Sequence, residues 1–195
     1  MDVPSIRTQI RKQRCALSST ELALHGSAVC EFIIKQNFYL NSSRLAIYLP
    51  VDGEISSLAL VEHARRHDKK IYLPVLSPIA GHGLWFVEWT TDTIFRPNRF
   101  GIPEPKYSSK EIIPANNLDL VITPLVAFDP HCHRIGMGGG YYDRTFGFLL
   151  ARQYWIKPKL IGIAHEIQKI QQIMPEVWDV PLQGVITERC FYLPQ

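Results

Sequence analysis

Asp119-Leu-Val-Ile-Thr-Pro-Leu-Val-Ala-Phe-Asp129, then after a short loop Arg134-Ile-Gly-Met-Gly-Gly-Gly-Tyr-Tyr-Asp-Arg144, is the stretch around which this 195-residue chain is read. Leu120, Val121 and Ile122 form a short apolar run closed by Thr123-Pro124, the signature of a buried strand. Gly136, Gly138, Gly139 and Gly140 precede a segment that can be helical from Tyr141 to about Leu150. Strand, glycine loop and helix start make an anion site, because glycines let backbone amides approach a phosphate and a helix N-terminus favours negative charge. The spacing matches neither common phosphate fingerprint: Tyr141 stands where one needs Lys and the other needs Gly. A tight turn with room for positive φ is therefore the alternative.

Working outward, Leu45-Ala-Ile-Tyr-Leu49 and Lys70-Ile-Tyr-Leu73 read as strands. Between them Ser56 or Ser57 can cap a helix reaching about Arg66, with Leu58, Leu60 and Val61 apolar. Strand, helix and strand within about 30 residues is the signature of a parallel sheet. Further strands are expected at Leu84–Trp89, Leu118–Thr123, Leu160–Ala164, Val185–Thr187 and Cys190–Leu193. Arg99–Pro105, with two prolines, reads as an irregular loop. A first helix begins near Pro4 or Ser5, with Ile6, Ile10 and Leu17 on one face. Ser18-Ser-Thr-Glu21 is a capping box for a second helix to about Gln36, whose Leu22, Val29, Phe32 and Ile33 can face a core. The class is α/β, with a mostly parallel sheet and helices on both faces.

At this length, with 46% hydrophobic residues, one large domain spanning 1–195 is expected. The net charge of +3 is spread along the chain and too small to argue for a nucleic-acid partner. There is neither an apolar run long enough for a membrane span nor an apolar signal core at the start. Cys15, Cys30, Cys132 and Cys190 are scattered and fit reduced thiols in a cytoplasm.

In open α/β sheets ligands sit beyond the C-terminal strand ends. Pro50–Glu54, Asp129–Asp143 and His165-Glu166 are the polar loops expected there. Glu54 reads either as a site carboxylate or as a solvated loop acid. Asp143 reads either as a favourable first-turn acid or as a magnesium ligand beside the phosphate loop. Asp179 is a second acid, in an otherwise apolar stretch. Arg7, Arg11 and Arg14 fall at i, i+4 and i+7 of the first helix, which reads either as a solvated basic face or as a basic stripe that reaches an anion. His131-Cys132-His133 alternate within a loop and do not converge as metal ligands.

Taken in order, the basic start, Tyr48-Leu-Pro-Val-Asp-Gly-Glu54, Ile71-Tyr-Leu-Pro-Val75, Gly101-Ile-Pro-Glu-Pro105, Thr123–Asp129, Arg134–Arg144 and Trp178-Asp-Val-Pro-Leu182 resemble the 5-formyltetrahydrofolate cyclo-ligases. The resemblance implies a three-layer α/β/α fold with a Rossmann-like sheet. It also implies ATP-driven closure of 5-formyltetrahydrofolate to 5,10-methenyltetrahydrofolate with Mg²⁺. Arg7 and the run Arg134, Ile135, Gly136, Met137, Gly138, Gly139, Gly140, Tyr141 and Tyr142 would then bind ATP. Leu49, Glu54 and Met137 through Tyr141 would face the folate, and Asp143 and Asp179 would hold the metal. Glu54, Arg134 and Tyr141 are the candidate catalytic residues. Many members carry Lys where this chain has Gly139, so Arg144 or Arg134 would meet that phosphate charge. A monomer acting on small molecules is expected. The rival readings are another phosphate-ligand enzyme, such as a sugar-phosphate isomerase or a CoA-transferase-like protein, and a nucleic-acid binder using the basic helix.

Overall fold

A computed structural model describes residues 2–79, 81–151 and 157–194. The chain opens with helices α1 (Val3–Cys15), α2 (Ser19–Ile34) and α3 (Asn37–Leu40). Strand β1 (Arg44–Ala46), helix α4 (Leu58–Arg66), β2 (Lys70–Leu76) and β3 (Leu84–Glu88) follow. Next come β4 (Phe95–Pro97), β5 (Pro103–Pro105), β6 (Ile112–Ile113), β7 (Leu120–Thr123), β8 (Ala127–Phe128) and β9 (Arg134–Ile135). Helix α5 (Tyr141–Phe146), β10 (Lys159–Ile163), β11 (Gly184–Ile186) and β12 (Phe191–Tyr192) complete the order.

Eight strands form one sheet in the order β12-β11-β10-β7-β1-β2-β3-β6. The five central strands, β11 through β2, are parallel; β12, β3 and β6 add antiparallel edges. Alternation along each strand sends neighbours to opposite faces. Leu45, Ile71, Leu120 and Ile161 meet α2, α3 and α4 on one face. Ala46, Tyr72, Val121 and Leu160 meet Phe146 and the segment after α5 on the other. The result is the expected α/β architecture. From β1 the chain moves to β2 on one side, and later enters β7 on the other. The switch point therefore lies between β1 and β7, where Leu45 pairs with Leu120 and Ala46 with Val121.

The capping box of α2 is present: Ser18 Oγ accepts from Glu21 N–H while Glu21 accepts from Ser18 N–H. The α4 expectation holds in place but not in detail. The Ser57 side chain does not cap, since its hydroxyl donates to the Tyr48 carbonyl at 2.9 Å; Ser56 Oγ instead accepts from Leu58 N–H at 3.4 Å, and Leu58 is half-exposed. Residues 99–105 are not wholly irregular, since β5 pairs with β4 in a two-stranded ribbon. Pro97, Pro103 and Pro105 are tolerated there because a ribbon of this size leaves N–H positions unused by a ladder. Helix α5 is shorter than expected: Gly147 interrupts it and residues to Leu149 continue as a 3₁₀ turn. The loop joining the two halves of the opening stretch is the turn of a β8–β9 hairpin.

Asp129, fully buried, organises that hairpin. One carboxylate oxygen accepts from the amides of His131 (3.0 Å) and His133 (2.9 Å); the other accepts from Ile173 N–H (3.0 Å) and pairs with His133 Nδ1 (2.9 Å). These bonds fold the turn that puts Cys132 at φ +66° and leads β9 into the glycine loop. Because removing the acceptor strands buried donors, Asp129→Ala is expected to destabilise the protein by roughly 3 kcal/mol or more in urea unfolding, and Asp129→Asn by less. Equal stability of parent and Ala variant would remove this organising role.

Candidate active site

The arginines of α1 do not form a solvated face. Arg7 Nε donates to the Gly136 carbonyl at 2.8 Å. Arg11 pairs with Asp52. Arg14 is completely buried: Nε donates to the Asp52 carbonyl (3.2 Å), Nη1 to the Leu125 carbonyl (3.4 Å), and Nη1 lies 3.6 Å from Glu54 Oε1. That last separation is an ion-pair contact rather than a hydrogen bond. One turn of α1 thus grips the glycine loop after β9, and the next two grip the loop after β1. The reason lies in tertiary structure: both loops emerge beside the switch point, and the solvent that a basic stripe would otherwise face is replaced by their carbonyls.

The glycine loop adopts the backbone its residues allow. Gly138 (φ +101°) and Gly140 (φ +60°) are left-handed. A Cβ at Gly138 would come within 3.4 Å of the Arg7 guanidinium. Arg144 Nη2 donates to the Gly139 carbonyl at 2.6 Å, and its guanidinium lies over the Tyr141 ring. Arg134 is tied instead to Asp143 and to the Val180 carbonyl. Since α5 has only six residues, the loop amides and these arginines supply more of any anion-binding potential than the helix dipole does.

A cavity of about 690 Å³ opens at the switch point. Its walls include Leu49 and Glu54 from the β1 loop, and Arg134, Gly136, Met137, Gly139, Gly140, Tyr141, Tyr142 and Asp143 from the glycine segment. Ten of the expected site residues are thereby brought together. Arg7 and Gly138 adjoin the loop from the α1 side. Ile135 does not offer its side chain to the cavity; it is buried with Ile10 and Val126. Asp179 Oδ2 accepts from Glu176 N–H (2.9 Å), and the neighbouring Val180 N–H donates to Asp143 Oδ1 (3.1 Å), so the two acids flank one short segment. Sequence reasoning missed several wall residues: Tyr48, Leu73, Phe100, Ile102 and Glu104. Gly101–Pro105 carried a signal for the last two, but nothing local says that this loop folds over the cavity.

Glu54 is 8% exposed, and burial pushes its carboxyl up to about 7 despite the Arg14 charge and the Val51 N–H that both favour the anion. Burial, with the Glu54 charge nearby, also raises the Tyr48 and Tyr142 hydroxyls well above the usual phenol value, so both stay protonated. The site therefore offers one carboxyl poised to exchange a proton at neutral pH, an apolar wall, and a glycine loop ringed by guanidinium groups.

Fold and site together define an α/β protein with a ligand cavity at the switch point of its sheet. The chain belongs to the 5-formyltetrahydrofolate cyclo-ligase family, whose model matches residues 2–188. It is 38% identical to the 5-formyltetrahydrofolate cyclo-ligase of Haemophilus influenzae over 183 residues, covering 93% of this chain and 95% of that one. It is 36% identical to that of Escherichia coli K12, covering 91% and 96%. The NMR structure of Aquifex aeolicus 5,10-methenyltetrahydrofolate synthetase superposes with a TM-score of 0.80 at 25% identity, covering 99% of this chain and 93% of that one.

Two measurements test the electrostatics. Arg14→Met leaves the buried Glu54 without its counter-charge and should cost about 3–5 kcal/mol in urea unfolding, whereas exposed Arg11→Ala should cost no more than about 1 kcal/mol. Similar losses for both would mean that α1 is gripped no more tightly at Arg14 than at its surface. For Glu54, the folded carboxyl titrates at about 7 and the unfolded one near the ordinary 4.5. Between those values the unfolded chain releases a proton that the folded chain keeps, so stability falls as pH rises from about 4.5 to 7 and the penalty is complete above it. The size is about 3 kcal/mol. Glu54→Gln shifts stability by a constant but should remove this slope; unfolding curves at pH 5 and pH 8 that keep the parent's pH dependence would refute the assignment.

Proposed function

We propose that this chain catalyses the ATP-dependent closure of 5-formyltetrahydrofolate to 5,10-methenyltetrahydrofolate, releasing ADP and phosphate, as a single domain over residues 1–195. The observation that carries this reading is the shared cavity: the glycine loop and the Glu54 loop of a cyclo-ligase family member line one space. The glycine loop amides, with Arg7 and Arg144, hold the ATP phosphates. Arg144, already on the Gly139 carbonyl, supplies the charge that a loop Lys supplies in many relatives. Leu49, Met137 and Tyr141, with Phe100 and Ile102, hold the folate.

The formyl oxygen attacks the γ-phosphorus and ADP leaves. The formyl carbon, now bearing a phosphate leaving group, is attacked by the neighbouring folate amine. That amine gives its proton to Glu54, and phosphate departs with the C–O electron pair. No protein nucleophile is needed; placing the two substrates and neutralising phosphate charge accounts for the catalysis asked of the site. Arg134, held by Asp143, and the Tyr141 hydroxyl, paired with Arg99, face the same cavity and orient the transferring group.

Asp143 and Asp179 fit Mg²⁺. Each has one carboxylate oxygen engaged by a backbone N–H, that of Asp143 also by Arg134, and a second with no hydrogen-bond partner among the described residues; Asp143 lines the cavity and Asp179 does not. Two such acids beside phosphates and water are the donor set this hard cation takes. When bound, Mg²⁺ would neutralise phosphate charge as ADP leaves. Four free thiols suit the reducing cytoplasm. Among the described residues no helix is long and apolar enough to cross a membrane.

Mixing protein, ATP, Mg²⁺ and 5-formyltetrahydrofolate should give the absorbance of the methenyl product, with none when ATP is omitted. Turnover without ATP would favour an isomerase-like or transferase-like enzyme instead. In the same assay Arg7→Ala should raise the KM for ATP several-fold with the fold intact. Glu54→Gln should impair turnover while nucleotide binding survives. Asp143→Asn should raise the Mg²⁺ needed for half-maximal rate far more than it lowers Tm; a magnesium titration overlaying the parent's would remove the metal role.

A further inference from the structure

Behind the Glu54 loop, on the far side of Gly53, three side chains from distant parts of the chain converge. His25 lies on α2, His165 follows β10 and Glu188 follows β11. His25 Nδ1 and His165 Nδ1 are 2.8 Å apart, Glu188 Oε2 is 4.0 Å from His25 Nδ1, and the three ligand atoms all lie within 4.8 Å of one another. His165 is fully buried, and its Nε2 lies 3.0 Å from the Gly53 carbonyl. A carbonyl only accepts, so Nε2 carries the proton and Nδ1 presents a lone pair into the cluster. This is how a protein orients a metal-binding imidazole: the second ring nitrogen is committed to a backbone carbonyl. Burial lowers His165 to about 4, so it stays neutral, the form that ligates.

We propose that His25, His165 and Glu188 form a binding site for a zinc-class divalent transition ion, separate from the magnesium-assisted site above and independent of the reaction proposed there. Two imidazoles and a carboxylate, with a fourth position open to solvent on the partly exposed His25 side, make a tetrahedral donor set suited to zinc rather than magnesium. Zinc–nitrogen bonds of about 2.0–2.1 Å at a tetrahedral angle separate the two nitrogens by about 3.3 Å. The His25 ring must therefore retreat by about half an ångström, which its partly exposed place on the helix permits. The metal replaces the proton now shared by the two Nδ1 atoms. By fixing His165, it braces the Gly53 carbonyl and hence the loop that carries Glu54.

The test is titration of the full chain, stripped with chelator, with Zn²⁺ in competition with a chromophoric chelator and with Co²⁺ followed by absorbance, both in excess Mg²⁺. One equivalent should bind, raise Tm, and give visible cobalt bands without the near-ultraviolet band of thiolate ligation. His25→Ala and Glu188→Gln, both at partly exposed positions, should each weaken zinc by more than the roughly 10–100-fold carried by outer-shell partners and abolish the Tm rise. If one variant fails to fold, the other carries the comparison. No binding by the parent, affinity unchanged in a folded variant, or a thiolate band would each overturn the proposal.

Discussion

A guanidinium with no access to water holds this molecule's working parts together. Arg14 binds the Asp52 and Leu125 carbonyls and faces Glu54, joining the loop after β1 to the segment after β7. Its Nη2 has no hydrogen-bond partner among the described residues. Burying a charge on these terms costs several kcal/mol. What the charge supplies is position. The Asp52–Glu54 loop is pressed so closely on α1 that a Cβ at Gly53 would lie 2.6 Å from the Arg14 carbonyl, and Gly53 itself sits at φ +69°. His165 holds the Gly53 carbonyl from the other side. Glu54 is thus fixed between a cation and an apolar wall, which leaves its carboxyl balanced near neutrality rather than ionised outright.

The sheet sets where that balance is useful. Because β1 and β7 are neighbours at the switch point, their loops diverge to leave a crevice, the place where open α/β sheets take ligands. One loop contributes the carboxyl, the other the glycines and guanidinium groups. The arginines have distinct tasks: Arg14 is structural, Arg134 is committed to Asp143 and Val180, and Arg7 and Arg144 stand on the glycine loop itself. The guanidinium groups that stand on the glycine loop therefore come from two separate elements, α1 and α5.

Much of this was legible along the chain. Short apolar runs at 45–49 and 70–73, the Ser18–Glu21 box and the glycine cluster at 136–140 are local signals, set by neighbours a few positions apart. They sufficed for a parallel α/β sheet with a ligand loop after the strand at 120–123, and the motif order pointed to the folate family. Local rules also misjudged: periodicity cannot see that the Ser57 hydroxyl is turned to donate to the Tyr48 carbonyl instead of accepting from its own helix, or that Gly147 ends α5 early.

Only the tertiary structure decided which polar groups lose their water. Arg7, Arg11 and Arg14 form one helical stripe in sequence, yet Arg11 stays exposed while Arg14 is sealed by carbonyls up to 111 positions away. The His25–His165 contact spans 140 positions, and Phe100 and Glu104 reach the cavity through a ribbon that no local pattern announces. Desolvation is a property of everything packed around a group, so the titration of Glu54 and the pairing of the histidines had to wait for the fold. Backbone pattern and ligand loop, which depend on steric and hydrophobic preferences of adjacent residues, were already present in the chain.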